Sequence, residues 1–134
     1  MTGNCASGAA ICFAICLALA SCTRGRGSDS NSIMAGGNAP EGKHLIGVYG
    51  CGACHIIPGV PAARGLVGPP LTVWGDRTII AGELPNTPDN LVRWLQNPKA
   101  VEPKTAMPDL GLTKDQATDI AAYLYTLRRS GEGQ

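Results

Sequence analysis

Residues 56–86 constrain this chain more than any other stretch. Gly and Pro recur through these 31 residues, neither a helical nor an alternating period runs through them, and the segments on either side do carry a period. An irregular connection of this length inside a compact domain normally counts against the elements assigned around it. It is tenable when the loop wraps a large rigid ligand instead of packing on itself. Composition points the same way. Aromatic residues are 4% of the 134, namely one Phe, two Trp and three Tyr, and a small domain so poor in large rings cannot fill its core from side chains alone. Disorder is a poor alternative, because 44% of the residues are hydrophobic and the formal net charge is +1, a balance unlike that of disordered chains. With 11 Lys and Arg against 10 Asp and Glu, the chain lacks the basic excess that nucleic-acid binding requires. No nucleic-acid partner is expected.

Three helices are predicted around this loop. The first covers about 41–53, with Leu45, Ile46, Val48 and Tyr49 as its apolar stripe. The second opens at Thr87-Pro88-Asp89-Asn90, an N-cap residue followed by Pro in the first turn. It carries Leu91, Val92, Trp94 and Leu95 and stops at Asn97-Pro98. The third opens at Thr113-Lys114-Asp115-Gln116, a capping box, and shows an apolar face of Ala117, Ile120, Ala121, Leu124 and Leu127. Arg128 and Arg129 are read as its last turn, where cations suit the helix dipole.

The chemistry is concentrated in Cys51-Gly52-Ala53-Cys54-His55, a C-x-x-C-H motif that is the attachment signature of c-type haem. On a helical turn, residues 51, 54 and 55 project to one face. Two thiols can then add to the two vinyl groups at one edge of a porphyrin while the imidazole rises over the ring toward iron. Gly52 and Ala53 are read as keeping the intervening surface small for the ring edge. Three alternatives stand beside this one. A zinc site needs a further Cys or His pair, and only His44 remains, on the same predicted helix. A redox dithiol needs a βαβ setting that the pattern does not offer. A plain disulfide leaves His55 and the underfilled core unexplained.

Beyond the second helix, Asn97-Pro98-Lys99-Ala100-Val101-Glu102-Pro103-Lys104-Thr105-Ala106-Met107-Pro108 resembles the class I cytochromes c, in which a loop of this kind delivers a Met sulfur to haem iron. The resemblance extends from Gly42 to Leu127. It implies an all-α fold of three main helices, with long loops wrapped around one haem c held by Cys51 and Cys54. It also implies His55 and Met107 as axial metal ligands, the alternative for Met107 being a Met packed in the core. Gly68-Pro69-Pro70-Leu71 is similar to the family's turn in which the first Pro carbonyl accepts from the ligating imidazole, here Pro69 from His55. By the same resemblance, Arg77 stands near a haem propionate and Trp94 packs beside the Met ligand. The alternatives are a solvated loop charge and an ordinary core Trp. Gly42 and Tyr123 resemble the contact where the first and last helices cross. Two departures stand out. Asn86 occupies roughly the place of the family's propionate-binding Trp, and Trp74 in the earlier loop is the candidate substitute. The Lys-rich docking face of mitochondrial members is also missing, since nine Lys and Arg match nine Asp and Glu over 41–134. Partner recognition is therefore expected to depend only weakly on salt.

The amino-terminal part reads as targeting. Residues 9–20 are an uncharged apolar run of 12, too short to span a bilayer as a mature helix and about the length of a signal-peptide core. Leu19-Ala20-Ser21-Cys22 follows and resembles a bacterial lipobox, which makes 1–21 a lipoprotein signal peptide and Cys22 the lipidated residue. An ordinary signal peptide with a Cys at its cleavage site is the alternative. Residues 22–40, rich in Gly, Ser and Asn, read as a tether, followed by a domain over 41–130 and a tail over 131–134. Together these readings give a one-electron carrier of a respiratory chain on the periplasmic side of a membrane. It would work between a quinol-oxidising complex or dehydrogenase and a terminal oxidase or reductase. An electron-accepting subunit of a periplasmic dehydrogenase and a haem-based sensor are the alternatives. No enzymatic activity is expected, because two filled axial positions leave substrate no route to iron.

Overall fold

The computed structural model describes residues 36–129. Signal peptide, Cys22, most of the tether and the last five residues lie outside the described residues. Helix α1 spans Ala39–Val48, α2 Pro88–Gln96, α3 Pro98–Val101 and α4 Lys114–Thr126. Between α1 and α2 come two 3-10 turns, Cys51–Ala53 and Trp74–Asp76, and a two-residue antiparallel hairpin that pairs β1 (Ile79–Ile80) with β2 (Leu84–Pro85). The three long helices match the expected all-α architecture; the single-turn α3 and the hairpin are additions.

Two of the helix ends are written in local chemistry. The Thr87 hydroxyl accepts from the Asn90 N–H at the start of α2, with Pro88 in the first turn. At the start of α4, Thr113 and Gln116 each accept from the other's backbone N–H, at 3.3 and 3.0 Å. Caps of this type contribute about 1 kcal/mol each. The other ends differ from expectation. Helix α1 begins at Ala39, capped by Asn38, whose side chain accepts from the Glu41 N–H, so the folded domain takes in residues assigned to the tether. It ends at Val48 instead of running to 53, because Gly50 takes a left-handed conformation with φ of 67°. Arg128 and Arg129 are not the last turn of α4. That helix ends at Thr126, and the two arginines pair with Asp76 at 3.5 and 3.7 Å, so the 74–76 turn is docked against the chain end.

Helix α1 packs chiefly on α4, and α2 packs on the same helix. The α1–α4 crossing is close because Gly42 has no side chain: a Cβ there would sit 1.8 Å from the Asp119 carbonyl oxygen. The nearest approach of Gly42 is therefore to the Asp119–Ile120 backbone and not to Tyr123, whose hydroxyl donates to the Pro58 carbonyl at 2.6 Å. Ile46, Leu91 and Ile120 lie fully buried between the helices, and among the described residues the buried set contains no polar or charged side chain.

Candidate functional site

The side chains do not fill the centre. A cavity of about 450 Å³ opens among α1, α2, α4 and the loops, within the size range of small-molecule and cofactor sites. Its apolar wall comes from the faces read as helical stripes, including Ile46, Leu91, Leu95, Ile120 and Leu124. Cys51, Cys54, His55, Pro69, Arg77, Trp94 and Met107 all line it as well. These are all seven cofactor-binding candidates named from the sequence, and the fold brings them to one hollow. His44 is exposed and does not line the cavity.

The motif is presented by a tighter turn than expected. After the left-handed Gly50, Cys51–Ala53 form a 3-10 turn, and the N–H groups of Cys54 and His55 both donate to the Cys51 carbonyl, at 3.2 and 3.0 Å. A 3-10 turn stacks residues i and i+3, which keeps Cys51 and Cys54 together. Both are free thiols. Burial, with the neighbouring Cys54 adding to it and a backbone hydrogen bond opposing it, pushes the Cys51 thiol above its ordinary value. Gly52 has a different role from the one expected. A Cβ on it would come within 2.7 Å of Ala63, so its smallness admits the folded-back loop and not a ligand edge. Neither Gly52 nor Ala53 lines the cavity.

The 56–71 part of the long loop is a brace for this turn. Gly65 N–H donates to Gly52 O at 3.0 Å, Gly68 N–H to Cys54 O at 2.8 Å and Leu71 N–H to Ile56 O at 2.8 Å. The imidazole of His55 lies against Gly68, where a Cβ would be 2.2 Å from its Cε1. Its Nδ1–H donates to the Pro69 carbonyl at 2.8 Å. A carbonyl can only accept, so Nδ1 carries the proton and the neutral ring keeps its lone pair on Nε2. An imidazole held in this way is oriented and made more basic as a metal ligand.

Met107 is half-buried in a loop with its own side-chain bonds. Its N–H donates to Thr105 Oγ1 at 3.1 Å, and Lys104 N–H donates to Glu102 Oε1 at 2.7 Å. Pro103 and Pro108 flank the segment and restrict its backbone further. Arg77 is half-buried, with its guanidinium 5.4 Å from the centroid of the Trp74 ring and an N–H donated to the Pro70 carbonyl. It is not a freely solvated charge. Trp94, 9% exposed, is both core and cavity wall.

Sequence reasoning missed Asn86 and Tyr125. Asn86 Nδ2 donates to the carbonyls of Trp74 and Arg77 at 3.2 and 2.9 Å, and Tyr125 donates its hydroxyl to Asn86 Oδ1 at 2.8 Å. The position where the resemblance expects an anion-binding Trp is therefore a clamp on the 74–77 backbone. Its one sequence signal is the departure from the family pattern; nothing local in the sequence marks Tyr125 as its partner.

The fold and the hollow define a small helical protein with a central cavity that two thiols, an imidazole and a thioether line. The cytochrome c family model matches residues 39–128, and the chain belongs to the cytochrome c family. Among curated proteins it is similar to cytochrome c oxidase subunit 2 of Alkalihalophilus pseudofirmus, 30% identical over 91 residues, and to cytochrome c oxidase subunit 2 of Bacillus sp. strain PS3, 34% identical over 95 residues. Each match covers 67% of this chain and 26% of the relative, so the chain spans about a quarter of the length of the curated relatives it matches. Among solved structures it is similar to a chain of SoxXA from P. pantotrophus, with a TM-score of 0.55, 25% identity, and coverage of 69% of this chain and 83% of that one. The cofactor is haem c, covalently bound, and Cys51 and Cys54 stand at its attachment position. The residues fit that group: the thiols are unbridged, the one hydrogen bond of the His55 ring among the described residues is at Nδ1 and leaves Nε2 open, and Gly68 leaves room for the ring of His55 that a Cβ would take.

Proposed function

We propose that the chain carries single electrons in a bacterial respiratory chain, with His55 and Met107 as the axial ligands. The observation that carries this reading is the 2.8 Å bond from His55 Nδ1–H to Pro69 O, together with the presence of Met107 in the lining of the same cavity. Haem c, when bound, supplies the one-electron Fe(II)/Fe(III) couple. His55 offers a basic nitrogen in a fixed orientation. Met107 offers a neutral, soft sulfur, which favours the reduced metal and raises the potential relative to two imidazoles. The apolar side chains around them exclude water and disfavour the extra positive charge of the oxidised state. Pro69, Arg77 and Trp94 hold and frame the group.

A terminal oxidase is the electron acceptor we favour, because the curated relatives are oxidase subunits. A quinol-oxidising complex or a dehydrogenase would be the donor. Residues 1–21 would direct export and Cys22 would carry the lipid that holds the domain on the periplasmic side of the membrane. The fifteen residues 23–37, between Cys22 and the Asn38 cap of α1, would give a root-mean-square reach of roughly 21 Å.

Replacement of Met107 tests the ligand set. Met107→His should retain covalent haem and lower the midpoint potential, with each tenfold change in equilibrium constant equal to about 59 mV for one electron. An unchanged potential would remove Met107 from the ligand role.

A further inference from the structure

The side-chain amide of Gln116 ties together two stretches of chain that lie far apart in the sequence. Its Oε1 is 3.0 Å from the Thr113 backbone nitrogen and 3.0 Å from the Tyr49 hydroxyl. A backbone N–H can only donate, so the shared atom is the carbonyl oxygen of the amide, and the Tyr49 hydroxyl that faces it donates as well. Both lone pairs of that oxygen are then in use. Tyr49 lines the cavity. It caps α1 and stands two residues before Cys51, with the left-handed Gly50 between them. Its bond to Gln116 spans 67 residues. Thr113 is the N-cap of α4 and closes the segment that runs on from Met107. Within that segment Asp109 Oδ1 accepts from the Gly111 N–H at 2.8 Å, and the Leu112 carbonyl accepts from Gln96 Nε2 at 3.4 Å. The start of α4 does not need Tyr49, because Thr113 and Gln116 already satisfy each other's backbone N–H groups.

We propose that Gln116 is a positioning residue, whose one amide oxygen holds the Cys51–His55 turn and the segment after Met107 in a fixed relation to each other. Its role rests on Met107 being an axial ligand. The imidazole is presented from the turn that follows Tyr49, and the thioether from the segment that ends at Thr113. A change in either one relative to the other is felt at the bond between iron and the neutral sulfur. The Tyr49 hydroxyl is therefore the part of the junction that serves the cavity and not the helix cap, and removing it separates the two.

Binding of free imidazole to the oxidised, haem-loaded protein reads the junction. The iron–sulfur bond breaks and an iron–nitrogen bond forms in its place, with no change of oxidation state, so at saturating imidazole the rate is that of Met107 leaving. Tyr49→Phe keeps the ring in the wall and the capping box in α4, and loses only the tie. It should raise the saturated rate about fivefold, the factor for one net hydrogen bond. Gln116→Glu, whose carboxylate oxygen still accepts both bonds, should stay close to wild type. Thr87→Ala removes a cap on α2, a loss of similar worth away from the junction, and should leave the rate unchanged. Equal rates in wild type and Tyr49→Phe would overturn the proposal. So would equal acceleration in Tyr49→Phe and Thr87→Ala, which would make the effect one of overall stability. If Tyr49→Phe does not hold haem, Gln116→Asn, one methylene shorter, takes its place with the same expectation. A wild type whose rate does not saturate with imidazole would remove Met107 from the iron and the junction's role with it, so the wild-type curve tells the two failures apart.

Discussion

Replacing Gly68 by Ala should disable the imidazole without touching it chemically. The added Cβ would sit 2.2 Å from Cε1, 2.6 Å from Nδ1 and 2.8 Å from Nε2 of His55. Ordinary carbon contacts begin near 3.4 Å, so the ring must retreat by about 1.2 Å or the loop must yield by as much. A retreat directed along the 2.8 Å bond to Pro69 O stretches it to about 4 Å, beyond hydrogen-bond length. That bond is worth about 1 kcal/mol, and overpacking of this kind costs about 1–3 kcal/mol. The sum is about 2–4 kcal/mol, or a fall in Tm of roughly 8–30 °C for a domain of this size. Thermal unfolding of the haem-loaded protein, followed by circular dichroism and by the haem absorbance, reads it. Gly47→Ala is the control. Nothing lies within 4 Å of a Cβ there, and the exchange inside a helix should raise stability by about 0.5–1 kcal/mol. A Gly68→Ala protein that melts within two or three degrees of wild type (about 0.5 kcal/mol) at an unchanged potential would refute the tight fit of His55 against this glycine.

Two other outcomes follow from the same geometry. Burial pushes the phenols of Tyr123 and Tyr125 above the ordinary value of 10.0, with Arg128 partly opposing the shift at Tyr125. The folded chain thus holds these protons more tightly than the unfolded one. Their contribution is complete below pH 10 and fades as pH rises through the folded-state values. Denaturant midpoints measured from pH 8 to 12 should fall at the alkaline end, and less so in the Tyr123→Phe, Tyr125→Phe double variant; equal slopes would contradict this. Exchanging both Cys51 and Cys54 for Ser should leave a chain without covalent haem and without a formed core around the 450 Å³ hollow, seen as loss of cooperative thermal unfolding. A native-like melt of the haem-free variant would contradict that.

What could be read from the residues was what short-range chemistry controls. The starts of α2 and α4 follow from Thr87-Pro88 and from the Thr113–Gln116 box, because each cap is satisfied within three residues. The cavity lining was legible wherever a motif or a helical period names the residue, as with Cys51, Cys54, His55, Met107, Leu91 and Ile120. The rest depends on partners far along the chain. Asp76 draws Arg128 and Arg129 out of a helical last turn across 52 and 53 residues. Gly52 is small for the sake of Ala63, and Asn86 is held by Tyr125 across 39 residues. The single turn of α3 and the two-residue strands are too short for any period to show. The early end of α1 turns on one left-handed glycine, Gly50, which a helical stripe alone does not reveal.

Two sulfur bridges fasten a tetrapyrrole to this chain as the filling of its core. Mass spectrometry of the peptide carrying residues 51–55, taken from the denatured protein made in a host that matures c-type cytochromes, tests it most directly. One haem per chain is expected, resistant to denaturation and bonded through both Cys51 and Cys54. A peptide of unmodified mass, or one with the two cysteines joined only to each other, would contradict it.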